Sequence, residues 1–153
     1  MKTNLNRYRQ PAQLALSAVL MLAVLTSLVT FGGAADVKAK PPITISQLAG
    51  PWQIAVVGNT GCGISSLLFA GTLNAQGTGS GTLTFNSGCG SSSTTETFSI
   101  ISLNHNGSGT AGLTCGTGCG WTFNIQVSPN KQVINMVDVT DPSNYLAGTA
   151  VKQ

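Results

Sequence analysis

The chain has 153 residues, enough for one domain preceded by a leader. Its 7 Lys and Arg outnumber 4 Asp and Glu, but the excess lies wholly in Lys2, Arg7 and Arg9. The remainder has no arginine, and Lys38, Lys40, Lys131 and Lys152 cancel Asp36, Glu96, Asp138 and Asp141. That balance excludes the basic face a nucleic-acid partner needs and the polybasic patch of a lipid-surface binder.

Residues 1–35 read as a signal peptide. The basic start is followed by a nearly all-apolar run from Leu14 to Phe31 and then by small residues, Gly32 to Ala35. Cleavage is expected after Ala35, with Ala39 as a second option, which makes the mature protein secreted or periplasmic. Membrane association arises only if this segment is left uncleaved. Residues 36–47 read as a short linker, and Ile45 to Ala49 as a single helical or 3₁₀ turn. The folded domain is expected over 48–153.

From there the apolar period is two, the mark of half-buried strands. Trp52, Ile54 and Val56 point one way in the first strand, and Leu67, Phe69 and Leu73 in the second. Leu83 and Phe85 mark the third, Phe98 and Ile100 the fourth, and Ala111 and Leu113 the fifth. Trp121, Phe123, Ile125 and Val127 alternate with Thr122, Asn124 and Gln126 in the sixth. Val133, Val137 and Val139 are taken as the inward set of the seventh, which turns Asp138 to solvent. The eighth runs from Tyr145 to Val151. Gly, Asn and Pro clusters punctuate the series at residues 58–61, 76–77, 87–88, 104–107, 116–118, 129–130 and 141–142.

Short loops join only antiparallel neighbours, and an open meander would expose two edges. Eight strands is the size of a small closed barrel. The expected fold is therefore all-β, an eight-stranded antiparallel up-and-down barrel, with a β-sandwich as the alternative.

A meander sends alternate loops to the same end. Cys62, Cys89, Cys115 and Cys119 fall in or beside the first, third and fifth loops, so all four should gather on one rim. Cys115 and Cys119 bracket a three-residue turn, where opposed Cα atoms lie at disulfide distance. The favoured pairing is Cys62–Cys89 with Cys115–Cys119. A Cys₄ zinc knuckle or a redox pair are the rivals, and both fit an exported chain less well.

Catalytic signals are absent. His105 is the one histidine and sits in a turn, Asn104-His105-Asn106-Gly107. No Gly-x-Ser-x-Gly elbow occurs, and no two carboxylates fall at a shared cleft. Gly77, Gly79 and Gly81 lead into no helix, so they make no phosphate loop. The expectation is a non-enzyme with no cofactor and no metal.

Leu48-Ala49-Gly50-Pro51-Trp52 opens the first strand after a helical turn. This Gly-x-Trp resembles the lipocalin, or calycin, signature. The resemblance implies a barrel closed at one end by Trp52 and open at the other to a small apolar ligand. In that family a basic residue, usually Arg, stacks on the Trp from near the last strand. Lys152 is the only cation of this chain near that place. The TGCG, SGCG and CGTGCGW segments also look like those of a small secreted bacterial family. Trp52, Ile54, Leu67, Phe69, Phe85, Phe98, Trp121 and Phe123 are the apolar residues that would line an interior ligand site, and no polar anchor stands out among the inward set.

Three roles follow. The first is a structural or surface-interaction protein presenting disulfide-pinned rim loops to a partner. The second is a calycin-like binder of a small apolar ligand. The third is a thiol or metal site at the rim cysteines.

Overall fold

A computed structural model describes residues 40–153. The signal peptide over 1–35, its cleavage sites and the first part of the 36–47 linker lie outside the described residues. Among those described, no helix is long and apolar enough to cross a membrane.

Eight strands form, in chain order β1 (Gly50–Thr60), β2 (Gly63–Leu73), β3 (Thr78–Ser87), β4 (Gly90–Leu103), β5 (Ser108–Thr114), β6 (Gly120–Val127), β7 (Val133–Asp138) and β8 (Tyr145–Lys152). Each pairs antiparallel with the next, and β1 closes on β8, giving an up-and-down barrel. Closure runs from Trp52 opposite Lys152 to Asn59 opposite Tyr145. It leaves no free sheet edge for another chain to extend. The β1–β8 seam is tight at Gly58, where a β-carbon would overlap the Tyr145 carbonyl. Only glycine lets the two strands approach so closely there.

The period-two residues fill the interior. Trp52, Ile54, Leu67, Phe69, Phe98 and Phe123 are all 3% exposed or less and belong to one hydrophobic cluster. Phe69 and Phe98 meet at 6.1 Å between ring centroids, a tilted aromatic pair.

The Trp52 end is plugged. The 3₁₀ turn Ile45–Leu48 carries Leu48 fully into the core, and Ile43, within the stretch read as linker, is buried beside it. The Ile43 amide donates to the His105 carbonyl at 3.0 Å, tying the incoming chain to the β4–β5 turn. Trp52 Nε1 donates to the Leu48 carbonyl at 2.7 Å. Lys152 Nζ lies 6.0 Å from the Trp52 ring centroid and donates to the Gln47 carbonyl at 3.3 Å. The lysine that ends β8, β1's partner across the closure, thus covers the tryptophan as a cation–π contact.

One expectation fails. In β7 the inward residues are Ile134, Met136 and Asp138, while Val137 and Val139 are 56% and 48% exposed. The strand is in the opposite phase, and Asp138 is inside. Valines mislead here because the outer wall at β7 is itself apolar, so the residue type no longer marks the inner face.

Candidate functional site

The four odd-numbered hairpin connections share the end opposite Trp52. Cys62 bonds to Cys89 and Cys115 to Cys119, with Cα–Cα distances of 5.3 and 5.1 Å, and no cysteine is free. The favoured pairing is therefore the one present. The thiol and metal readings lose their ligands, because a disulfide sulfur is no thiolate. Among the described residues no cluster of three or more His, Cys, Asp or Glu is placed to hold a metal.

The bridges frame a cup. A cavity of 370 Å³ opens at this rim and is lined by Thr60, Gly61, Cys62, Leu83, Phe85, Ser92, Thr94, Cys115, Cys119, Trp121 and Asn144. Residues of β1, β3, β4 and β6 and of the β1–β2, β5–β6 and β7–β8 loops all contribute. Leu83 lies two residues deeper along β3 than Phe85 and forms the floor. Phe85 and Trp121 form one wall, their rings 5.8 Å apart and tilted. The sequence-predicted apolar lining thus divides. Phe85 and Trp121 reach the cup, whereas Trp52, Ile54, Leu67, Phe69, Phe98 and Phe123 are packed in the core beneath it.

The expectation of a lining without polar anchors is also corrected. Thr60, Ser92, Thr94 and Asn144 bring three hydroxyls and an amide to the mouth. Ser91 to Thr97 is almost all hydroxyl-bearing, which hides the inner face of β4 from any apolar pattern. Asn144 lies in a loop, where periodicity says nothing.

Polar networks hold the rim in shape. Thr60 Oγ1 accepts the Cys62 amide at 3.2 Å and shares a 2.8 Å hydrogen bond with the buried Ser65 hydroxyl. Across the mouth, Glu96 is 7% exposed. Thr114 Oγ1 donates to its Oε2 and Thr94 Oγ1 to its Oε1 at 2.9 Å. The Thr114 hydroxyl, the Gly116 amide and the Thr94 hydroxyl together hold the Glu96 carboxyl below the usual glutamate range, outweighing the opposing effect of burial. Glu96 therefore works as an anionic clasp between β4 and the Cys115–Cys119 loop. At β7, Asp138 Oδ1 accepts the Thr140 amide at 2.9 Å and the Thr140 hydroxyl at 2.6 Å. Its Oδ2 is buried and receives no hydrogen bond from the described residues, an arrangement that destabilises by about 1–3 kcal/mol.

His105 sits at the plugged end, far along the barrel from the cup, and its backbone carbonyl serves the Ile43 tie. The cup brings together aromatic walls, hydroxyls and cystine sulfur, with no charged side chain in the lining. Such a surface binds by shape, dispersion and neutral hydrogen bonds.

A closed eight-stranded antiparallel barrel, plugged at the end where the Gly-x-Trp lies and cupped at the other, is compatible with a lipocalin-like fold. No family model matches the chain, and no curated protein matches it in sequence.

Proposed function

We propose that this protein is an exported, non-enzymatic binding protein that holds one small, uncharged, largely apolar molecule in the cup at its disulfide rim. The observation that carries this reading is the 370 Å³ cavity floored by Leu83 and walled by Phe85 and Trp121. A barrel of this size can fill itself with side chains, and this one does so over its lower body. Leaving aromatic surface unfilled only at the mouth sacrifices burial that stability would otherwise gain. A volume above about 300 Å³ admits a drug-sized molecule. The uncharged lining favours a neutral ligand, since a charged one would lose its hydration without a partner. Ser92, Thr94, Thr60 and Asn144 suit a hydroxyl or carbonyl on the ligand's outer end.

Export is supported by the basic–apolar–small order of residues 1–35 and by two disulfides, which persist in oxidising compartments. Binding without catalysis is supported by the residues at the mouth. The Thr94 hydroxyl is already committed as hydrogen-bond donor to Glu96, and a carboxyl held below its usual range is a weak base toward it. His105 is at the other end of the barrel.

Titration with the neutral apolar dye Nile red tests the reading. The dye should bind at one saturable site, quench Trp121 and lose that site in Ser92→Phe, which fills the mouth from an exposed position. Absence of saturable binding, or binding that survives Ser92→Phe, would overturn it.

A further inference from the structure

The outside of the barrel is divided into two halves. On β3 to β6 the outward positions carry Ser, Thr, Asn, Gln and Gly, with Ile101 as the large apolar exception. On the four adjacent strands β7, β8, β1 and β2 they are mainly apolar. The registers make this a continuous wall. Val137 lies opposite Ala147, and Ala147 opposite Val57. Asn59 lies opposite both Tyr145 and Ile64, and Ala55 opposite Leu68. Ile64 is 87% exposed, Tyr145 72% and Val57 63%. No outward position on these four strands carries a charge; the remaining polar ones are Gln53, Asn59, Ser66, Thr72, Asn135 and Thr149.

We propose that this face is the contact surface of a homodimer, two copies of the chain packing wall against wall about a twofold axis. Two arguments select a second copy. The first is area. Six large apolar side chains on these strands, Val57, Ile64, Leu68, Val137, Tyr145 and Val151, are 42–87% exposed, the kind of broad apolar surface that marks an interaction site on a monomer and that a stable interface of ~800 Å² per partner requires. The second is charge. A twofold contact sets a surface against itself, so any charge on it meets its own like charge. A wall free of charge across four strands meets that condition, while a partner with charges of its own would find nothing here to pair with. The outward pattern also disfavours immersion in a bilayer, because a membrane-spanning barrel needs an apolar band around its whole circumference and the β3–β6 half is hydroxyl-rich. The cup opens at the rim, beside the wall, so its mouth stays accessible in the dimer.

Sedimentation equilibrium tests this on protein purified from the extracytoplasmic fraction of cells expressing the full chain. Val57→Lys and Val137→Lys place a charge on the wall at exposed positions, and Thr82→Lys places one on the hydroxyl half. The wild type should be dimeric. Each wall variant should weaken the dimer by about a hundredfold or more, since it places an unpaired charge in an apolar interface, and Thr82→Lys should leave it unchanged. Far-ultraviolet circular dichroism and non-reducing mass spectrometry check that each variant folds. Hydroxyl-radical footprinting of Tyr145 on the wild type, which should fall as concentration rises, gives the same answer without mutation. A monomeric wild type overturns the proposal, as does a dimer that survives both wall substitutions. A monomer that floats with phosphatidylethanolamine–phosphatidylglycerol vesicles through Val57 also overturns it, assigning the wall to lipid. Nile red binding at the cup is read separately, through Ser92→Phe, so the two proposals fail independently.

Discussion

Removing the bridges one at a time should give unequal losses, because they close loops of different length. Cys62–Cys89 spans 27 positions and Cys115–Cys119 spans 4. In the chain-entropy model, the longer loop constrains the unfolded ensemble by about 3.5 kcal/mol and the shorter by about 2 kcal/mol. The native barrel changes little in either case. All three hairpins that carry the cysteines are held by their ladders, and Gly88 N–H donates to the Cys62 carbonyl at 3.0 Å. The double variant Cys62→Ala/Cys89→Ala should therefore lose about 3.5 kcal/mol, a fall in Tm of roughly 10–20 °C for a domain of this size. Cys115→Ala/Cys119→Ala should lose about 2 kcal/mol. Urea unfolding followed by circular dichroism measures both, and the slope with denaturant reports whether the unfolded state expands. Equal losses, or a larger loss from the short loop, would refute the entropic account and show that the short bridge is held by native-state contacts at the cup.

Other substitutions probe the seam and the buried carboxylates. Gly58→Ala should destabilise by about 3 kcal/mol or more, since the new methyl must push β8 away from β1; a loss below about 1 kcal/mol would mean the seam yields freely. Glu96 has its pKa lowered in the folded state, so its contribution is full above the ordinary glutamate pKa and is lost as pH falls through the folded value. The midpoint of urea unfolding should fall on acidification through that window, and Thr114→Val, which removes the largest cause of the shift, should flatten the fall. An unchanged slope in Thr114→Val would contradict that assignment. Asp138→Ser keeps a short acceptor for the Thr140 amide and removes the unpaired Oδ2, so stability should rise by about 1 kcal/mol; a comparable loss would mean that Oδ2 is engaged.

Much of the barrel was readable because a polar loop and an apolar inward face repeat with a simple rhythm. Trp121-Thr122-Phe123-Asn124-Ile125-Gln126-Val127 carries its inner and outer faces openly. The meander rule alone gathers the cysteines at one rim. The reading lost phase at Val133 to Val139, where both faces are apolar; the outer wall that makes β7 ambiguous is the same wall assigned to the dimer. It also missed the cup's hydroxyls. In Ser91-Ser92-Ser93-Thr94-Thr95 every residue has the same chemistry, so only the register with β3, which sets Ser92 opposite Phe85, shows which point inward. Lys152 was a stand-in by position only; its approach to Trp52 depends on closure of β8 on β1, a contact across the whole length of the domain.

A native mass spectrum of the protein taken from its own source puts the binding account to the most direct test. The account predicts a chain with both bridges formed, carrying one small neutral molecule per cup that is absent from Ser92→Phe prepared in the same way. A spectrum showing only the bare polypeptide in wild type and variant alike would contradict it.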